Sequence, residues 1–125
     1  MRLALLVALG GAIGSLCRYG VGIAAGRWWS GKVPVGTLVV NVVGSLVIGF
    51  VAAYFESKGR GASDVRIALT TGVLGGFTTY SDFALEVVTL YSRREVGTLA
   101  LYLVLLAVAS LLGCALGLVL GRMAA

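Results

Sequence analysis

Four long apolar segments dominate the chain and leave little sequence outside them. They cover residues 3–26, 35–55, 67–91 and 98–121. Each is longer than the roughly 20 residues that an α-helix needs to cross a bilayer. Since 59% of all residues are hydrophobic and only 12% are charged, we predict an all-α integral membrane protein with four transmembrane helices, short loops and one domain, residues 1–125.

The third apolar segment is interrupted near its centre by the polar stretch GGFTTYSDF, residues 75–83. Two adjacent glycines weaken a helix, and the hydroxyl side chains that follow can bond to freed backbone groups. We therefore expect the third helix to be broken at mid-membrane. Irregular backbone at that depth is tolerated only against protein or water, and in transporters it marks ion sites. This stretch is the predicted functional centre.

Basic residues are nearly balanced between the two sides of the predicted membrane domain. Five fall on one side (Arg2, Lys58, Arg60, Arg66, Arg122) and four on the other (Arg27, Lys32, Arg93, Arg94). Because Lys and Arg asymmetry sets orientation, this balance predicts insertion in both orientations and an antiparallel dimer with its twofold axis in the membrane plane. No compact basic cluster lies outside the apolar segments, so membrane lipid, and not nucleic acid, is the expected environment.

Hydrogen-bond donors are unusually frequent inside the apolar segments. Asn41 lies deep in the second segment, and the hydroxyl residues are Thr37, Ser45, Thr78, Thr79, Ser81, Tyr102 and Ser110. Donors of this kind can replace the hydration shell of a small anion without trapping it on a fixed charge, so the pattern favours an anion path. Helix packing is the alternative for Asn41, and also for the aromatic residues Tyr80 and Phe83.

Glycines recur at multiples of four in the first and fourth segments, at positions 10, 14, 22 and 26 and at positions 113, 117 and 121. Such spacing predicts faces for close helix packing. Arg18 lies on the first of these faces, which leaves two interpretations open: it draws anions into a vestibule, or it reaches the membrane interface by snorkelling.

Other classes of protein fit the sequence less well. A small multidrug-resistance-type, proton-coupled exporter also has four short helices, but it needs an acidic residue in its first helix, where this chain has Arg18. An accessory subunit without transport would leave the intramembrane donors unexplained. An enzyme is not expected, because no nucleophile with a base, metal-ligand cluster or phosphate loop is present.

Three stretches resemble the signatures of the Fluc or CrcB fluoride channels. They are GGAIGSLCRY at residues 10–19, PVGTLVVNVVG at residues 34–44 and GGFTTYSDF at residues 75–83. The resemblance implies a dual-topology homodimer in the plasma membrane with two passive, fluoride-selective pores. It also implies a sodium ion on the twofold axis, held by the backbone carbonyls of Gly75 and Thr78. The pore residues would be Asn41, Tyr80, Phe83, Glu86, Tyr102 and Ser110, in addition to the candidates Thr37, Ser81 and Arg18.

Asp82 departs from this family pattern, which usually has a small or hydroxyl residue there. The sequence TYSD (residues 79–82) has the form of a capping box, in which Thr79 caps the resumed helix and Asp82 bonds back to the Thr79 amide. We favour this capping role over the alternative that Asp82 borders the path and slows anions. The departure also leaves open whether the chain works as a homodimer or needs a different second subunit.

Overall fold

The computed structural model describes residues 1–125, and the chain contains helices but no strands. The helices are α1 (Arg2–Trp28), α2 (Val35–Ser57), α3 (residues 64–77), α4 (Ser81–Ser92) and α5 (Val96–Met123). Only α1, α2 and α5 are long and apolar enough to cross a membrane individually. The third predicted segment forms two shorter helices, α3 and α4. The predicted all-α fold is confirmed, with three full-length helices and one divided segment.

Helix α3 is composed of three successive pieces, which are α-helical at Asp64–Ile67, π-helical at Ala68–Leu74 and α-helical at Gly75–Phe77. It begins three residues before the predicted start of the third segment. Ser63 explains this start, because its hydroxyl accepts a hydrogen bond of 3.3 Å from the amide of Arg66, as an N-cap residue does. The sequence did not indicate the π-helical piece.

The interruption between α3 and α4 lies at Thr78–Tyr80, later than the glycine pair suggested. Thr78 has extended backbone angles (φ −81°, ψ 159°), whereas Gly75 and Gly76 are still helical. The interruption thus lies within the predicted stretch of residues 75–83, at its hydroxyl residues and not at its glycines. Gly76 instead allows α3 to approach α1: a Cβ atom built on Gly76 would lie 3.1 Å from the Cα of Gly11, closer than ordinary contact.

Glycines also determine which helices pack together. Gly10 and Gly14 of α1 lie directly against the backbone of α3, and Gly117 and Gly121 of α5 lie against the backbone of α2. The two most extensive helix contacts are accordingly α1 with α3 and α2 with α5. The packing prediction is confirmed for these positions. It is also confirmed for Gly113, whose Cβ would lie 3.2 Å from the Val42 carbonyl oxygen, whereas a Cβ on Gly22 or Gly26 of α1 would meet no atom of this chain within 4 Å.

Few side chains are shielded from the surroundings by the chain itself. Only 15 of 125 residues are buried, and large apolar side chains are exposed along α1, α2 and α5. A bilayer makes this distribution favourable, because apolar side chains facing lipid need no protein cover. The polar residues that are shielded lie close to the break between α3 and α4, which directs attention to that region.

A polar path beside the helix break

Asn41 of α2 hydrogen-bonds to the backbone at the break through both the nitrogen and the oxygen of its side-chain amide. Its Nδ2 donates a hydrogen bond of 2.9 Å to the Thr79 carbonyl, and its Oδ1 accepts one of 3.0 Å from the Thr79 amide. These bonds replace helical bonds lost at the interruption. Buried backbone groups require such partners, above all in a membrane. Asn41 therefore stabilises the break in addition to lining the cavity described below.

Thr79 also begins helix α4. Its Oγ1 accepts a hydrogen bond of 3.2 Å from the amide of Asp82 and lies 3.3 Å from the hydroxyl of Ser81. The first half of the predicted capping box is present. The second half is wrong, because the Thr79 amide is bonded to Asn41 and the Asp82 carboxylate instead contacts Arg18 at 3.3 Å.

A cavity of about 250 Å³ lies beside the break. Its lining consists mainly of hydroxyl, amide and aromatic side chains: Asn41, Ser45, Thr78, Thr79, Tyr80, Phe83, Leu106 and Ser110. The buried hydroxyl of Ser110 has no hydrogen-bond partner within the chain. Because a buried polar atom is costly to leave unpaired, the cavity is suited to a ligand that accepts a hydrogen bond.

Glu86 of α4 is held by two donors from different helices. Its Oε1 accepts a hydrogen bond of 2.7 Å from the hydroxyl of Thr37, and its Oε2 accepts one of 2.6 Å from the hydroxyl of Tyr102. The side chain of Tyr102 is fully buried. This arrangement satisfies both oxygens of an acidic residue within the membrane segment, which would otherwise be expensive to place there.

Three aromatic rings in contact extend from Tyr102, which bonds to Glu86, to the cavity. The ring of Phe83 lies 5.7 Å from the ring of Tyr102 and 5.5 Å from the ring of Tyr80, and both pairs are tilted. Ring edges carry the positive part of the aromatic quadrupole. Tyr80 is 79% exposed, so much of its ring faces the surroundings of the single chain.

A second and larger cavity, which we call the vestibule, adjoins the first. It has a volume of about 770 Å³ and lies between the C-terminal half of α1, the start of α2 and the start of α4. Its charged lining residues are Arg18, Lys32, Asp82 and Glu86. Thr79 lines both cavities. The two cavities therefore have Thr79, the buried residue at the break, as a common wall.

The carbonyls of Gly75 and Thr78 accept no hydrogen bond from a backbone amide. In a continuous helix the Thr79 amide would bond to Gly75, but here it bonds to Asn41, and Thr78 is bonded only through its own amide and hydroxyl, both to Leu74. Free carbonyls in unwound backbone, as at Thr78, or at the C-terminal end of a helix, as at Gly75, are suitable ligands for Na⁺. The residues therefore fit a sodium ion. No group of three or more acidic, His or Cys residues could serve instead.

The structure places Arg18, Thr37 and Glu86 at the vestibule, and it places Asn41, Thr78, Tyr80, Phe83 and Ser110 at the smaller cavity. The other sequence-predicted site residues, Gly75, Ser81 and Tyr102, line neither cavity. Sequence reasoning counted Ser45 and Thr79 among the intramembrane donors but not among the pore residues, although both line the smaller cavity and Thr79 also lines the vestibule. The place of Thr79 in the TYSD pattern marked it for capping and could have identified it. Leu106 also lines the cavity, and no sequence signal distinguished it from the other leucines of α5.

Comparison with known proteins identifies the family. The profile of the family described as "CrcB-like protein, Camphor Resistance (CrcB)" matches residues 5–118. A protein of Agrobacterium fabrum named fluoride-specific ion channel FluC is 44% identical over 94% of both chains. A protein of the same name from Paracoccus denitrificans is 48% identical over 94% of this chain and 93% of its own. These findings confirm the resemblance seen in the sequence and do not support the proton-coupled exporter: the chain belongs to the CrcB family.

Proposed function

We propose that this chain is a fluoride-selective channel of the bacterial plasma membrane, through which fluoride leaves the cell passively and which thereby gives fluoride resistance. The observation that carries the proposal is the cavity beside the break, where donor side chains surround the unpartnered hydroxyl of Ser110. Its relatives are named as fluoride-specific ion channels. Those names also agree with the prediction that the chain is not an enzyme.

The chemistry of the path suits a small, strongly hydrated anion. Entering at the vestibule, fluoride would pass Arg18 and Thr79 and reach the Ser110 hydroxyl and the ring edge of Phe83. Hydroxyl donors and ring edges would replace water around the ion step by step. None of these groups except Arg18 carries a full positive charge, so the ion would not be held too tightly to leave.

We further infer that the working unit is an antiparallel homodimer with two pores. The break is incompletely covered in the single chain, since Gly75 and Tyr80 are exposed. Irregular backbone facing lipid is not tolerated, which favours cover by a second copy. The five-to-four balance of basic residues supports a partner of opposite orientation.

The free carbonyls of Gly75 and Thr78 support the proposal that the dimer holds a structural sodium ion. The two carbonyls from each subunit would meet at the twofold axis and would supply the oxygen ligands. When bound, the ion would neutralise carbonyl dipoles and link the two breaks. Replacing Na⁺ by N-methylglucamine should then lower the thermal stability of the purified dimer, and equal stability in both salts would contradict a sodium site.

Fluoride flux from liposomes tests the main proposal. Vesicles containing the protein and loaded with potassium fluoride should release fluoride when valinomycin shunts potassium, whereas vesicles loaded with chloride should retain it. Protein-free vesicles provide the control. Equal rates for both anions, or efflux that requires a proton gradient, would refute a passive fluoride channel.

Orientation is tested separately. The variant Ala62→Cys, made in a background without Cys17 and Cys114, places a single thiol in the loop between α2 and α3. In whole-membrane vesicles an impermeant maleimide should label about half of the thiols from outside and the rest after permeabilisation. Labelling from one side only would refute the antiparallel homodimer and would point to a different second subunit.

A further inference from the structure

We propose that Asp82 pairs with Arg18 at the wall of the vestibule and thereby sets how strongly the vestibule attracts anions. The inference rests on the proposed function and adds a residue that controls fluoride entry. Asp82 would act on the ion through Arg18, so it is a positioning residue and not a contact of the permeating ion.

The backbone amide and the side-chain carboxylate of Asp82 have different partners. The amide of Asp82 bonds to Thr79 and caps α4, whereas its Oδ2 lies 3.3 Å from Nη1 of Arg18. This is the only polar contact of either side chain. The pair connects α1 to α4 across 64 residues of sequence. Replacing the carboxylate would thus remove the ion pair and leave the helix cap in place.

Asp82 supplies one of the two negative charges that line the vestibule. The lining contains the cations Arg18 and Lys32 and the carboxylates Asp82 and Glu86. Glu86 is occupied by two hydroxyl donors, and Lys32 lies 3.3 Å from Glu95, outside the lining. Arg18 is therefore the vestibule cation whose charge is compensated by Asp82. Its side chain remains 32% exposed, so an entering anion can reach it.

Removing this compensation should raise the local concentration of anions. The charges that line a cleft set the local concentration of ions inside it, so the loss of one negative charge raises the concentration of anions there. One unit charge several ångströms from the ion, in a wet cleft, changes local anion concentration by about three- to tenfold. Salt screens the effect, because the Debye length falls from about 30 Å at 0.01 M to about 3 Å at 1 M ionic strength.

The experiment compares Asp82→Asn with the parent protein in liposomes. Initial fluoride flux is measured against fluoride concentration at about 0.01 M and about 1 M ionic strength, set with potassium gluconate. At low ionic strength Asp82→Asn should lower the half-saturating fluoride concentration by about three- to tenfold, with little change in maximal flux. Arg18→Gln should raise the half-saturating fluoride concentration. At high ionic strength the flux curves of the parent and of both variants should converge.

The matched control is Glu56→Gln, which also removes one carboxylate but lies at the exposed end of α2 outside both cavities. It should leave the half-saturating concentration unchanged. If Asp82→Asn alters only maximal flux, or alters half-saturation equally at both ionic strengths, Asp82 does not act through the vestibule charge and the inference fails. Absence of flux in the parent would instead refute the proposed function.

Discussion

Replacing Gly76 by alanine tests whether close backbone contact, and not helix breaking, is the role of the glycine pair. A Cβ at this position would lie 3.1 Å from both the Cα and the carbonyl carbon of Gly11, and it would overlap the Gly11 carbonyl oxygen. All three atoms belong to the backbone of α1. No flexible side chain can move aside, so α1 itself must shift away from α3.

The expected cost follows from a matched comparison. Overpacking a tight contact costs about 1–3 kcal/mol, while alanine in a helix interior gains about 0.5–1 kcal/mol over glycine. Gly20 of α1 has no neighbouring atom within 4 Å of a built Cβ, so Gly20→Ala should show the gain alone. The free energy of unfolding of Gly76→Ala should therefore be about 1–3 kcal/mol lower than that of Gly20→Ala.

The assay is SDS-induced unfolding in dodecyl maltoside, followed by far-ultraviolet circular dichroism. Gly14→Ala provides a second test from the opposite helix, because its Cβ would lie 2.8 Å from the amide nitrogen of Phe77, and it should resemble Gly76→Ala. If Gly76→Ala is as stable as Gly20→Ala, the two helices are not held at the distance that the structure shows, and the packing argument is wrong.

Three further predictions concern the polar path. Ser110→Ala removes a hydroxyl that has no partner, so the free energy of unfolding should change by less than about 0.5 kcal/mol while fluoride flux falls. A large loss of stability would show that the hydroxyl is bonded within the protein. Tyr102→Phe removes the 2.6 Å bond to Glu86 and should lower the free energy of unfolding by about 1–3 kcal/mol; unchanged stability in the SDS assay would contradict it. Asn41→Asp places a second oxygen against the Thr79 carbonyl and should abolish most flux, with the dimer still present on size exclusion; normal flux would refute a pore role.

The class of the protein and the approximate positions of its helices could be predicted from the sequence. The apolar segments at residues 3–26, 35–55 and 98–121 correspond to α1, α2 and α5 within a few residues. Hydrophobic length is a local property, and a bilayer requires helices for every spanning segment. The polar stretch at residues 75–83 likewise contained the interruption, because a run of hydroxyl residues in an apolar segment is visible within a short window.

The pairing of the polar groups could not be predicted from the sequence, because it depends on how the helices pack. The interruption lies at Thr78 and not at the glycines because Asn41, on another helix, takes the hydrogen bonds of Thr79. Asp82 bonds to Arg18 and not back to the Thr79 amide for the same reason.

Partners of this kind depend on which helices are adjacent and at what distance. That distance is set by glycine contacts between residues distant in sequence, such as Gly76 with Gly11. A local pattern can indicate that a side chain needs a partner, but the packing of the helices determines which partner is within reach.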